Sequence, residues 1–132
     1  AVARGYIPGD AQTLFDNAIA ASMTHLGATD GGYTAVVNGI VGKGYAAATK
    51  LDEQIQAIMY QKSIALNGTN GVEIWIEYTR TGLISNIPMP MGSTSGTKPT
   101  RLMYPTSELA SNSANVPAQT VSDAFNTAPF WK

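Results

Sequence analysis

Small and apolar residues recur at three- and four-residue steps along two stretches of this chain, and that period confines both to helices. In the first, residues 10–26, the stripe runs through Ala11, Leu14, Phe15, Ala18, Ile19, Ser22, Met23 and Leu26. Pro8 and Gly9 break what precedes it, Asp10 offers a carboxylate to the first-turn amides, and Gly27 supplies a stop. In the second, residues 49–66, Leu51, Ile55, Ile58, Met59, Lys62, Ala65 and Leu66 share one face and Asn67-Gly68 closes it. Asp52 and Glu53 fall in its first turn, where negative charge complements the helix dipole.

The rest of the chain resists regular structure. Residues 28–46 hold Asp30-Gly31-Gly32, Asn38-Gly39 and Gly42-Lys43-Gly44 around Val36, Val37, Ile40 and Val41. They predict a long irregular loop with room for a short strand. Residues 72–81 are ambiguous: Val72, Ile74, Ile76 and Tyr78 alternate as in a strand, while Val72, Trp75, Ile76 and Thr79 fit a helix face. Asn70 with Glu73 three residues on adds a helix-start pattern. After Gly82, prolines at 88, 90, 99, 105, 117 and 129 limit regular structure to short pieces, with a helical turn expected around 106–110 and a Ser/Thr/Gly tip at 93–97.

Composition narrows the function. The 132 residues carry 8 basic and 9 acidic side chains, and only 13% are charged against about 25% in ordinary soluble domains. No cluster of lysine and arginine offers a footprint for phosphate backbones, so nucleic acid is not an expected partner. Without cysteine, and with His25 as the one histidine, thiolate and histidine-pair metal sites are ruled out, and no cofactor is expected. The surface is rich instead in Ser, Thr and Asn, which suits neutral ligands. No apolar run reaches the roughly 18 residues of a membrane span. The opening residues lack the order of a signal peptide, so the chain is expected to be a processed or excised piece.

Few residues carry chemistry. Gly39-Ile40-Val41-Gly42-Lys43-Gly44 has neither the earlier glycine nor the hydroxyl residue after lysine that a phosphate-binding loop requires. Glu73 and Glu77 lie one turn apart if 72–81 is helical, which suggests a carboxylate pair for acid/base work or for a divalent cation or, more simply, an ion-pair row relieved by Arg80. His25 has no recognisable serine or carboxylate partner. Asn67-Gly68-Thr69 matches a glycosylation pattern that a helix-ending turn already explains. Aromatic planes suit the apolar faces of sugar rings. Among Trp75, Tyr78, Trp131, Tyr33 and Tyr45, core packing accounts for Trp75 and Tyr78, whereas Tyr33 and Tyr45, in the glycine-rich loop, are the candidate ligand contacts.

The order of several blocks resembles a known family. Gly9-Asp10-Ala11, Leu14-Phe15, Ile19 and Ala21-Ser22-Met23 come first, then Gln61-Lys62 with Ala65-Leu66. Glu73-x-Trp75-x-Glu77-Tyr78-x-Arg80-Thr81-Gly82 follows, then Arg101-Leu102-x-Tyr104-Pro105-x-Ser107-Glu108 with Asn112, Asn115-Val116 and Trp131. Together they look like the C-terminal part of the SusD/RagB family of outer-membrane nutrient-binding lipoproteins. The resemblance implies a mainly α fold of tetratricopeptide-like helical pairs with long irregular loops and a Pro/Asn-rich C-terminal strap, and it makes 72–81 helical. It implies that residues 1–132 are a single C-terminal segment of a larger SusD-like domain, with helices near 10–26, 49–66 and 71–81. It also implies non-catalytic capture of oligosaccharides or other nutrients at the cell surface, and their delivery to a SusC-like TonB-dependent transporter. The lipid anchor and most of the helices would belong to the remainder of the parent chain. Trp75, Glu77, Arg80, Arg101, Tyr104, Glu108, Asn112 and Asn115 would be structural. Arg80 would hold chain carbonyls or the Glu108 carboxylate, and the asparagines would bond turn backbone. Thr79 stands where members often carry a basic or bulky polar residue. A glycoside hydrolase piece using Glu73 and Glu77, and a self-assembling surface subunit, are the competing readings.

Overall fold

The structure, a computed structural model, describes residues 1–84, 87–93 and 95–129. Its regular elements are helical, with no strand among the described residues. A 3-10 turn at Val2–Arg4 precedes α1 (Ala11–His25), α2 (Tyr33–Asn38), α3 (Leu51–Leu66) and α4 (Gly71–Thr81). Two short helices, α5 (Thr106–Ser111) and α6 (Asp123–Asn126), follow. The chain divides into two compact units at residues 85 and 86, and each is described by itself.

In the first unit, local chemistry starts and stops the helices. Asp10 Oδ1 accepts from the Gln12 amide at 3.0 Å and Asn70 Oδ1 from the Glu73 amide at 3.2 Å, so α1 and α4 each have a side-chain N-cap. Glu53 reaches back from the first turn of α3 to accept from the Thr49 and Lys50 amides at 2.8 and 3.2 Å. At the end of α4, Gly82 takes φ 67°, a left-handed value that lets its amide close on the Tyr78 carbonyl. Residues 72–81 are therefore helix and pack on α3, while Val72 and Ile76 of the strand-like alternation stay exposed.

The core is small. Phe15 and Ile19 from α1, Val37 from α2 and Ala57 from α3 form a buried cluster, with Tyr33, Tyr45, Met23 and Ile58 packed against it. Ala57, at 0% exposure, is the contact that lets neighbouring side chains close over α3. The stripe read from periodicity is only partly covered: Leu14 is 54% exposed and Leu26 69%. The loop 28–46 holds the helix α2 where a strand had room. Asp30 supplies the reason, since Oδ1 accepts from the Thr34 amide and hydroxyl at 3.0 and 2.7 Å, organising the turn that starts α2. Of the four aliphatic residues there, Val37 alone is buried, while Val36, Ile40 and Val41 face outward.

Loop and helices are joined by polar contacts as well. Asn38 Nδ2 donates to Asp16 Oδ1 at 2.8 Å, and Asn38 Oδ1 accepts from the Tyr45 amide at 3.1 Å. Gly44 crosses so close to the end of α2 that a Cβ there would lie 2.1 Å from the Val37 carbonyl oxygen and 2.3 Å from Asn38 Cα. Only glycine permits that crossing.

The second unit relies on side-chain clips. Gln119 Oε1 accepts from the Tyr104 amide at 3.0 Å while its Nε2 donates to the Tyr104 carbonyl at 3.1 Å, imitating a strand pairing without a strand. Asp123, the first residue of α6, reaches back to accept from the Thr120 amide at 2.6 Å. Thr100 donates from both amide and hydroxyl to the carbonyl of the buried Ala124. Of the Ser/Thr/Gly tip, Thr94 lies outside the described residues; Ser95 Oγ donates to the Thr97 carbonyl at 3.0 Å.

Candidate functional site

A cleft of about 630 Å³ opens in the first unit. Its walls are α1, α3 and the Val2–Arg4 turn, with Tyr33 entering from α2 and Arg80 from α4. Leu14, Phe15, Ile19, Met23, Ile55 and Ile58 make the lining largely apolar; Ser22, Gln61 and Lys62 supply polar groups. The exposure of Leu14 is thus explained, since it faces the cleft, whereas Leu26 lies outside the lining.

Tyr33 and Tyr45 occupy different settings. The Tyr33 hydroxyl donates to Gln61 Oε1 at 3.2 Å, and Gln61 Nε2 donates onward to the Lys43 carbonyl at 3.0 Å, so the loop is tied to α3 at both points. Tyr45 packs its ring on Phe15, with centroids 5.9 Å apart and planes tilted by 42°. Both rings are half-buried. Tyr33 lines the cleft and Tyr45 does not. Trp131 lies outside the described residues.

Beside the cleft, α3 and α4 are joined by charge. Lys62 Nζ donates to Glu73 Oε1 at 2.7 Å and to Glu77 Oε1 at 2.9 Å. The Arg80 guanidinium donates to Glu77 Oε2 from Nε at 3.1 Å and from Nη2. Burial pushes the Glu77 carboxyl up, yet hydrogen bonds from Lys62 and Arg80 outweigh it and hold the group below the usual carboxylate range. The hydrogen bond to Glu73 raises the Lys62 ammonium, against burial, with Glu77 adding to the rise. A general acid needs the opposite, a carboxyl kept protonated near neutrality. Glu73 and Glu77 point side by side at one lysine, and that arrangement is a clasp between two helices.

Other sequence expectations need correction. Arg80 holds Glu77 within its own helix. Glu108 Oε1 accepts from Asn112 Nδ2 at 2.6 Å, and Asn112 Oδ1 accepts from Asn115 Nδ2 at 2.7 Å. Asn112 and Asn115 therefore bond side chains, and Thr100, Gln119 and Asp123 are among the side chains that bond backbone in this unit. The Arg101 guanidinium lies 5.8 Å from the Tyr104 ring centre, a cation–π contact within the second unit. Trp75 is half-buried on α4. Thr79 is 3% exposed and its hydroxyl donates to the Ile76 carbonyl at 2.9 Å, so a basic side chain could not be seated there without opening the packing. Lys62 was legible as a member of the α3 stripe; its partners, 11 and 15 residues on, were not.

No group of three or more His, Cys, Asp or Glu side chains among the described residues is placed to hold a metal ion. Nor is any described helix long and apolar enough to cross a membrane.

Comparison with known proteins adds one match. The SusD-like family, described as starch-binding and associating with the outer membrane, matches residues 1–105. No curated protein and no solved structure matches the chain. The matched region takes in the cleft, the Lys62 clasp and the Trp75–Gly82 motif, and stops at Pro105, so Ser107, Glu108, Asn112 and Asn115 lie beyond it. With four-fifths of its length matched, this mainly helical chain belongs to the SusD-like family of starch-binding proteins that associate with the outer membrane.

Proposed function

We propose that the chain is the C-terminal segment of a larger SusD-like domain. That domain is a lipid-anchored, surface-exposed protein that captures neutral oligosaccharides without catalysis and delivers them to a SusC-like TonB-dependent transporter. The observation that carries this reading is the family match over residues 1–105. The geometry supports it in two ways. The carboxylates that could serve a hydrolase are both paired to Lys62, and hydrogen bonds hold Glu77 below the usual carboxylate range, whereas two-carboxylate hydrolysis needs one carboxyl kept protonated and the pair set across a sugar ring. The loop carrying Tyr33 and Tyr45 is fastened to α1 and α3, which pre-organises two aromatic rings at little further entropy cost to a ligand.

On this reading Tyr33 is the ligand contact in the cleft, Tyr45, stacked on Phe15, steadies the loop that carries it, and helices of the remaining parent chain cover part of the apolar wall. Calorimetric titration of the parent-length protein with neutral oligosaccharides, with peptides as the comparison, tests it. Heat of binding with a saccharide, weakened roughly tenfold by Tyr33→Ala through lost stacking, is the expected result. Absence of binding to any saccharide, together with no co-purification of a transporter, overturns it. The exposed apolar cleft lining also favours a self-assembling subunit, which light scattering over a concentration series separates from a monomeric binder.

A further inference from the structure

Three Asn-Gly pairs occur in the sequence, at Asn38-Gly39, Asn67-Gly68 and Asn70-Gly71. Such pairs are labile because a glycine amide nitrogen, unhindered by a side chain, can approach the preceding side-chain amide carbon. In an unfolded chain the three would be equivalent. The structure separates them.

Asn38 is fully engaged: Nδ2 donates to Asp16, Oδ1 accepts from the Tyr45 amide, and the Gly39 amide that would attack donates to the Val36 carbonyl at 3.2 Å. Asn70 holds its side chain over the first turn of α4, where Oδ1 accepts from the Glu73 amide. Asn67 is different. It is exposed at the end of α3, with extended backbone (φ −61°, ψ 124°). Among the described residues, neither its side chain nor the Gly68 amide takes part in a hydrogen bond.

We propose that Asn67 is a site of spontaneous covalent modification, deamidation through a cyclic imide, and that Asn38 and Asn70 are protected from it by their hydrogen bonds. The Gly68 nitrogen gives up its proton to solvent and attacks Asn67 Cγ. A C–N bond forms, the Cγ–Nδ2 bond breaks, and ammonia leaves. Water then opens one of the two imide C–N bonds, giving aspartate or isoaspartate. Aspartate adds a carboxylate at the C-terminal end of α3, where the helix dipole is already negative. Isoaspartate lengthens the main chain by one carbon inside the turn that sets α3 against α4. Either product loads the junction that the Lys62 clasp holds shut, so Asn67 is the point at which this hairpin ages.

The test incubates the full chain at mildly alkaline pH, folded and in concentrated urea, and follows the mass gain of amide-to-acid exchange. Trypsin separates Asn38, which ends up in the peptide closing at Lys43, from Asn67 and Asn70, which share the Ser63–Arg80 peptide and are told apart by fragmentation. In urea the three rates should be comparable. In the folded chain Asn67 should stay within a few-fold of its urea rate, while Asn38 and Asn70 slow on the order of tenfold or more, as breaking one or two hydrogen bonds first requires. Asn67→Gln should abolish the gain at that position, and Asp16→Ala should accelerate Asn38 while leaving Asn67 unchanged. Equal rates at all three positions in the folded chain, or an Asn67 slowed as much as Asn38, overturns the proposal. The folded-against-urea comparison stands by itself if Asp16→Ala does not fold.

Discussion

Replacing Lys62 by methionine removes the charge of the α3–α4 clasp and keeps the aliphatic stem that packs along the helix. The expected cost is built from three parts. Glu77, whose side chain is 13% exposed, loses one of its two cationic partners, and a charge-assisted hydrogen bond at so sheltered a carboxylate contributes about 1 kcal/mol net. Glu73, at 39% exposure, loses a pair that solvent already screens, about 0.5 kcal/mol. The two carboxylates, one turn apart, then repel with only Arg80 beside them, a further 0.2–0.5 kcal/mol or so. Against these stands the desolvation of Lys62 that methionine no longer incurs, so the net loss should be roughly 1–1.5 kcal/mol. For a chain of 132 residues that lowers Tm by about 3–6 °C. Urea unfolding at low and high salt measures it, with the wild-type advantage shrinking as salt rises. Adding Glu73→Gln to Lys62→Met should recover part of the loss. A Lys62→Met midpoint indistinguishable from wild type, or a double variant that behaves additively, would refute the clasp.

The same contacts fix a pH dependence. The Glu77 carboxyl is held below its unfolded value of 4.5, so its contribution is present above that pH and disappears as pH falls through the lower folded value; acid titration of stability should show a decline beginning below pH 4.5 that Glu77→Gln flattens. Gly44→Ala places a Cβ against the Val37 carbonyl and Asn38 Cα, backbone that cannot step aside, and should cost on the order of 2–4 kcal/mol by thermal unfolding; a loss below about 0.5 kcal/mol would mean the crossing is looser than the structure has it. Asn38→Ala leaves the Tyr45 amide without its partner and Asp16 with Gln12 alone, and should cost about 1–3 kcal/mol, visible as faster amide exchange at Tyr45. Asn70→Ala removes the α4 cap and should cost about 1 kcal/mol, whereas Asn70→Asp should be neutral or stabilising because aspartate also caps; circular dichroism on heating distinguishes them.

How far the fold could be read in advance differs from element to element. The first helix was predicted at 10–26 and runs over Ala11–His25, because both its cap and its stop act within four residues. Residues 72–81 could not be decided by period, since a short apolar run fits both templates, and packing against α3 is what makes the helix. The loop 28–46 was legible as irregular, but the helix α2 depends on Asp30 bonding Thr34, a choice among several turns that its glycines equally allow. For the candidate site, Tyr33 and Tyr45 were identifiable as loop aromatics. That Tyr33 would line a cleft while Tyr45 stacked on Phe15 depends on contacts 28 residues away for one ring and on the core for the other.

The sequence by itself determined the helical character of the first unit, the ends of its long helices, the scarcity of regular structure after Gly82 and the family to which the chain belongs. Each of those rests on interactions within one turn or on the order of motifs along the chain. Tertiary structure decided which side of each stripe is covered, which ring faces the cleft and which cation holds which carboxylate. Lys62 carries the point most plainly. In the sequence it is one more residue on the α3 stripe, and only the turn through Asn67 and Gly68, by bringing Glu73 and Glu77 back alongside it, makes it the clasp. Ion pairing acts at contact range, and the fold alone brings residues so far apart in the chain into contact.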